Sequence, residues 1–213
     1  MKISIDFSQV EAAMRGLPGL VVVPAARMAL NDAAKQGHTA AKAKIREKFN
    51  LTAKFINERV KISSLASDWD LSVSIEATGR PIDLTHFGAR WVRGNRVVSR
   101  AGTSRLRKKK SGVFAEAWNS GVYFEARKGQ PGYLPHAFIA TVKAGKSGGT
   151  HMGVFVRSGR ERLPIIKKSL ISVPSMFEQR QVFEAVRQVV EAKFAERFQH
   201  HVDRATDKFA GPS

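Results

Sequence analysis

The C-terminal part of the chain carries the pattern that most restricts its fold. Val182, Phe183, Val186, Val189, Val190, Phe194, Phe198, Val202 and Ala205 recur at spacings of three and four, with polar and charged residues between them. That period belongs to an α-helix with one apolar stripe. The helix predicted beyond Pro174 runs for about eight turns and cannot leave such a stripe in water. Burying each large residue contributes roughly 1.5–3 kcal/mol, so the helix must pack on a sheet, a second helix or another subunit.

A second helical pattern lies near the other end. "PAARMALNDAAKQGHTAAKAKIREKF" begins at Pro24, a favourable first helical residue, and runs to Phe49. Ala26, Leu30, Ala33, Gly37, Ala41, Ile45 and Phe49 form its apolar face. The face is mostly small residues, which lets a neighbour approach closely. Upstream, Ser8 to Gly16 reads as a short capped helix, and "LPGLVVVP" reads as a turn. Downstream, Thr52 is placed to cap a short helix over "AKFINERV".

Between the helical regions the period changes to two. In "LSVSIEA", Leu71, Val73, Ile75 and Ala77 alternate with polar residues, as in a half-buried strand. "RVVS" (96–99), "GVFAEAW" (112–118), "GVYFEAR" (121–127), "AFIATVKA" (137–144) and "MGVFVR" (152–157) are further strands. Gly- and Lys-rich loops separate them and no helix-length pattern intervenes, which favours hairpins over parallel βαβ units. The expected fold is α+β: an antiparallel β-sheet packed with a long N-terminal helix and a long C-terminal helix. We expect a single domain over 1–213, with a helical part at 1–61, a basic sheet region at 62–168 and the amphipathic helix at 174–209.

The net charge of +18 is unevenly placed. Residues 1–79 hold 11 basic and 8 acidic side chains, residues 80–168 hold 19 and 4, and residues 169–213 hold 6 and 6. The long-range field therefore comes from the middle of the chain and favours a polyanion or an acidic protein neighbour. The absence of cysteine excludes disulfides and thiolate metal sites. Asp6 and Glu11 interrupt any signal-like apolar run, and "LVVVPAA" is too short to span a bilayer. These features point to a soluble protein made in the cytoplasm, for which the sequon Asn50-Leu51-Thr52 reads as a loop and cap.

Signals for chemistry are weak. Gly145-Lys146-Ser147 matches the end of a phosphate-binding loop, but Ala140 replaces the first glycine and a strand, not a helix, follows. His200 and Asp203 stand one helical turn apart, too few ligands for a metal site. His86, His136 and His151 are scattered, and the acids of the basic segment (Asp83, Glu116, Glu125, Glu161) form no tight motif. No nucleophile motif occurs. The sequence thus argues against an enzyme and implies no cofactor.

"RLRKKK" (Arg105 to Lys110) sets five cations in six residues within an inter-strand loop. Such a run attracts phosphates without sequence preference; alternatively it is a solvated loop that discourages edge-to-edge association. Trp91, Trp118, Tyr123 and Tyr133 do not make a base-stacking motif and read as core or interface residues.

"AFIATVKAGKSGGTHMGVFVRSGRERLPIIKKSLISVPSMF" (Ala137 to Phe177) resembles the signature of the phage minor tail protein Z family, the lambda-like tail completion proteins. Its pieces stand in the family's order: an Ala-Phe-Ile strand, a Gly-rich turn, a Gly-Val-Phe-x-Arg strand, a basic turn into Leu-Pro-Ile, and a Val-Pro-x-Met-Phe helix entry. "GRPIDLTHFGAR" (Gly79 to Arg90) resembles a second family element, and the Ala-rich helix before "LTAKFINERVKI" also fits. Ile171-Ser172 stand where the family commonly has Gly-Pro-Ser, and the 95–112 hairpin is longer and more basic than the pattern.

The resemblance implies a structural component of a virion tail, assembled in the cytoplasm of a bacterial host at the head-proximal end of the tail. It would help join tail to head and position the DNA end. The implied partners are other copies in a hexameric ring, tail terminator, tail-tube and head-connector proteins, and channel DNA contacted without sequence specificity, with no membrane involved. Arg105, Arg107, Lys108, Lys109 and Lys110 are the expected DNA-facing residues. Arg157, Arg160, Arg162, Leu163, Pro164, Ile165, Ile166, Pro174 and Phe177 are the expected assembly interface, with 163–166 either an extended arm on a neighbour or a strand folded back on its own sheet. The alternative is a freestanding basic nucleic-acid-binding protein.

Overall fold

The computed structural model describes residues 2–4, 19–92, 96–98, 104–106, 120–144, 149–159 and 161–210. They gather into two compact units. The first comprises Met1–Ile45, Ala53–Gly79 and Val173–Ser213; the second comprises Arg46–Thr52 and Arg80–Ser172. Two long helices and antiparallel sheets make the fold α+β, as expected from the two hydrophobic periods.

Helix α1 spans Gly19–Lys48, with residues up to Ile45 in the first unit, and helix α4 spans Arg180–Ala210. All seven residues predicted for the α1 face are buried, Phe49 just past the helix end. Val182, Val186, Val190, Phe194 and Val202 are buried along α4. Its outer side carries the ion pairs Arg180–Glu184, Arg187–Glu191 and Lys193–Glu196, each 2.6 Å long and solvated, of the kind that contributes little to stability.

The small-residue face does what its composition suggests. A Cβ placed on Gly37 would lie 2.4 Å from Val190 Cγ2 and 3.4 Å from Ile75 Cδ1. Glycine at this point is what lets α1 close onto α4 and the adjoining sheet. That sheet is antiparallel, in the order β1 (Lys2–Ser4), β3 (Ser74–Ala77), β2 (Val60–Ser64).

Three boundaries differ from the sequence reading. Helix α1 starts at Gly19, so Pro24 sits inside it and "LVVVP" is helix, not turn. Val21 and Val22 are buried, and that burial outweighs the hydrogen bond the proline cannot make. The helix predicted over 53–60 stops at Asn57 (α2, Ala53–Asn57), and Val60 opens a strand. The helix predicted over 174–209 divides into α3 (Val173–Phe177) and α4. Gln179 marks the break, its carbonyl accepting from Val182 N at 2.8 Å and Phe183 N at 3.0 Å. The predicted helix at 8–16 and strand at 112–118 lie outside the described residues.

The second unit is built of antiparallel strands. β4 (Arg90–Val92), β7 (Gly121–Arg127) and β8 (Gln130–Pro135) form one sheet in the order β4-β7-β8. β9 (Phe138–Ala144), β10 (Gly149–Arg157) and β11 (Ile165–Lys167) form another in the order β11-β10-β9. β5 (Arg96–Val98) and β6 (Ser104–Leu106) pair as a two-stranded ribbon. Phe49, Ile82, Leu84, Phe87, Val122, Val154 and Phe155 are buried in this unit.

The close approach at Gly37 is testable by a double-mutant cycle. Gly37→Ala should destabilise the protein despite alanine's better helix propensity, because the β-branched Val190 has little freedom to move aside. Combined with Val190→Ala, the same change should cost less than the sum of the single changes, with a coupling of about 0.5–3 kcal/mol. Urea denaturation of the four proteins measures it; additive effects would contradict the close approach.

Candidate functional site

The second unit brings together residues 80–90 and 137–172, the greater part of the two segments with the most specific sequence patterns. A 3-10 turn, Leu84–Phe87, follows Asp83. Asp83 Oδ1 accepts the Thr85 amide at 3.0 Å and the Thr85 hydroxyl at 3.2 Å, an N-cap in the sense in which a side-chain oxygen satisfies a helix-start donor. The backbone on either side pairs with the chain leaving β11. Asp83 bridges Ser169, Leu170 N donates to Ile82 O at 2.8 Å, and Ile82 N donates to Ile171 O at 3.4 Å.

The second carboxylate oxygen faces β10 and β11. Asp83 Oδ2 lies 3.1 Å from Lys167 Nζ and 3.3 Å from His151 Nε2. The Asp83 side chain is only 4% exposed, whereas those of Lys167 and His151 are 42% exposed. A Cβ on Gly153 would stand 2.9 Å from Oδ2, so glycine in mid-strand is what admits the carboxylate. Burial alone pushes the Asp83 carboxyl up. The Thr85 amide, Lys167 and His151 together outweigh burial and hold it below the ordinary carboxylate range.

This arrangement is a clasp. Both oxygens are committed to donors and the residue is closed off from water, so Asp83 is poorly placed to take a proton from a substrate. Among the described residues no group of three His, Asp or Glu side chains could hold a metal ion. An apolar cleft of about 290 Å³, lined by Phe49, Phe124, Ala126, Arg127, Gln130, Leu170 and Ile171, contains no acid or nucleophile.

The clasp fixes β11, which carries Ile165 and Ile166 of the expected assembly interface. Ile165–Lys167 is not an isolated arm: Arg157 pairs with Ile165, Val156 with Ile166 and Phe155 with Lys167. Ser158 closes the basic turn by donating from its amide to Pro164 O at 3.2 Å. The Arg157 guanidinium stands 5.6 Å from the Phe138 ring centroid, and Arg162 and Pro164 are exposed. Leu163 is 67% exposed and Ile166 49%. Pro174 and Phe177 belong to the first unit, where Phe177 is fully buried in α3. Arg160 lies outside the described residues.

Of the expected DNA-facing residues, Arg105 falls in β6, opposite Val97. Arg107, Lys108, Lys109 and Lys110 lie outside the described residues. So do Gly145, Lys146 and Ser147, but the strands flanking them pair antiparallel from Ala144 and Gly149 onward, and no helix follows to support a phosphate loop. Trp91 is 51% exposed on β4, and Tyr123 lies under the Arg90 guanidinium at 4.6 Å. Asp203 accepts from Gln199 at 2.7 Å, and it is His201, not His200, that reaches an acid, Asp32 at 3.3 Å.

In the sequence Asp83 reads only as an isolated acid. Its local role is legible there, since Asp-Leu-Thr is a turn-capping pattern. Its distant partners are not.

A family model described as "Prophage minor tail protein Z (GPZ)" matches residues 10–208. No curated protein and no solved structure matches the chain. No helix among the described residues is long and apolar enough to cross a membrane.

Asp83→Asn removes the charge while preserving the shape. At neutral pH it should destabilise the protein by about 1–3 kcal/mol, because Lys167 and His151 are exposed enough to recover water as partner. The folded-state pKa of Asp83 lies below its unfolded value, about 3.9 for an aspartate. Its stabilisation is therefore complete above that value and lost as pH falls through the lower, folded one. Urea midpoints from pH 7 to pH 2 should show a wild-type acid loss that is smaller in the Asn variant; parallel curves would refute the clasp.

Proposed function

The chain belongs to the prophage minor tail protein Z family, and from that membership we propose that it completes the tail at its head-proximal end. Minor tail proteins are structural components of the phage particle, and this chain is one of that kind. In the proposed role, copies of the protein form a closed ring, hexameric by analogy with the six-fold tail tube. The ring meets the tail terminator or tube on one side and the head connector on the other, and DNA passes through it. Its chemistry is non-covalent, and its residues bind, space and screen.

The observation that carries the DNA part of this reading is the charge of residues 80–168, where 19 basic residues face only 4 acidic ones. Two of those acids are engaged within the unit itself. Asp83 is buried in its clasp, and Glu125 accepts the Gly129 amide at 2.7 Å. With 19 cations to 4 acids the region keeps a large excess of positive charge, which a phosphate backbone neutralises without any reading of bases. A freestanding nucleic-acid-binding protein would share this field, but the family match spans nearly the whole chain and is to a tail protein.

Neutralising Arg105, Arg107, Lys108, Lys109 and Lys110 together to Gln tests the reading. Tails should still assemble, while DNA retention in particles and infectivity should fall. Binding of the purified protein to duplex DNA should weaken and become less salt-dependent, the log–log slope falling by roughly 0.9 for each phosphate that is no longer neutralised. Unchanged infectivity with unchanged DNA retention would assign the run to solubility alone.

A further inference from the structure

The register of the β4-β7-β8 sheet brings a cation and two aromatic rings into one row. Arg90 on β4 stands opposite Tyr123 on β7, and Tyr123 stands opposite Tyr133 on β8. Directly opposed residues of a sheet share a face, so the guanidinium and the two phenol rings cross the three strands side by side. The Arg90 guanidinium lies 4.6 Å from the centroid of the Tyr123 ring, which backs its plane. Tyr133 is laid over Gly121, where a Cβ would stand 2.8 Å from both Cζ and the hydroxyl of the tyrosine. A ring folded down over a glycine keeps one face on the backbone and turns the other outward. The fully buried Val122 belongs to the opposite face of the sheet. On the row's own face Arg90, Pro131 and Pro135 are exposed and the two tyrosines half-buried.

What such a row can hold follows from its chemistry. Aromatic rings and guanidinium planes stack on nucleobases of any sequence, because every base has a flat face. Neighbouring strands are about 4.8 Å apart, so an extended single strand crossing the sheet meets a new plane at each β-strand. Duplex DNA is unsuited, since its base faces are already stacked on one another. The charge agrees. Glu125, the one acid in these three strands, is turned to the Gly129 amide at 2.7 Å. The row lies within the segment of 19 basic and 4 acidic residues, whose field attracts the phosphates between the bases. An acidic peptide would feel the same field but offers no series of flat rings to the row.

We propose that this row is a seat for unpaired DNA, with bases stacked on Tyr133 and on the Arg90 guanidinium that Tyr123 backs. The inference rests on the DNA part of the reading above and adds that bases, not phosphates alone, are held. The sequence shows no stacking motif because strand register assembles the row, not spacing along the chain.

The experiment is fluorescence anisotropy of labelled DNA with the full chain, starting at low salt. The probes are an oligothymidylate of about 16 nucleotides, the longest site usual for a compact single-strand-binding module, and an abasic strand and a duplex of equal length. Wild type should bind the oligothymidylate more tightly than the abasic strand. That preference should persist as salt rises, because stacking releases no counterions. Tyr133→Ala should weaken oligothymidylate binding about 5- to 150-fold, the range for loss of one stacking partner, and leave the abasic strand and the duplex nearly unaffected. Tyr133→Phe should retain wild-type binding. Arg90→Lys keeps the charge and loses the plane, so it should also weaken the oligothymidylate selectively. It carries the test should Tyr133→Ala prove unstable by thermal melting.

Equal wild-type affinity for the oligothymidylate and the abasic strand would overturn the seat while leaving phosphate binding intact. Substitutions that weaken all three probes alike would overturn it too, since only charge would then be at work. So would substitutions that weaken none, which would assign the row to another occupant or to the sheet alone. Failure of the DNA reading has a different signature: no probe, duplex included, would bind at low salt, and the seat would fall with it.

Discussion

A carboxylate withdrawn from water is tolerated only if its lone pairs find donors, and around Asp83 that requirement organises much of the second unit. One oxygen starts the 3-10 turn through Thr85, and the other holds Lys167 on β11 and His151 on β10. The short strand β11 has three residues with which to pair and a proline before it. Its hydrogen bonds to β10 alone would leave it prone to fray. Lys167 anchors its last residue to a buried charge, and the Ser169, Leu170 and Ile171 backbone continues the attachment onto Ile82 and Asp83. The exposed Ile166 is thereby held in place opposite Val156. The rigidity of this strand thus rests on a buried carboxylate held by two partly exposed cationic partners.

What can be read in the sequence follows from the range over which each force acts. Both long helices are legible because a stripe of period 3.6 needs only its own residues to be seen, and the small-residue face of α1 correctly implies a close neighbour. Strands rich in β-branched and aromatic residues and bounded by turn residues, such as 121–127 and 138–144, are legible too. β8 is not, because Pro131, Gly132 and Pro135 interrupt it. It tolerates them as the edge strand of its sheet, where missing donors can face outward. β2 is hidden because only Val60 and Ile62 are even partly buried in "VKISS", leaving no clear alternation. The start of α1 is misplaced in sequence because Pro24 is a local signal, while the burial of Val21 and Val22 is a tertiary one.

The site is less legible than the fold. Nothing in "GRPIDLTHFGAR" announces that its aspartate will meet a histidine 68 residues later. The resemblance nonetheless singles out both segments, and the clasp gives a physical reason for them to occur together: each supplies half of one buried interaction. Trp69 escapes notice for the opposite reason. Its surroundings in sequence are ordinary, and its 97% exposure is a property of the folded loop alone.

The distribution of charge then becomes intelligible as a division of labour. Helices α1 and α4 bury apolar stripes and balance their outer charges locally, as the three ion pairs along α4 illustrate. Residues 80–168 do the reverse, concentrating cations and turning two of their four acids inward or onto their own turn. Like charges gathered this way repel one another and weaken the compact state. A chain selected only for its own stability would disperse them. In the proposed role this concentration of charge is a cost to the lone protomer that DNA in the particle would offset, so the stability of the free chain and that of the assembled particle have to be measured separately to be understood.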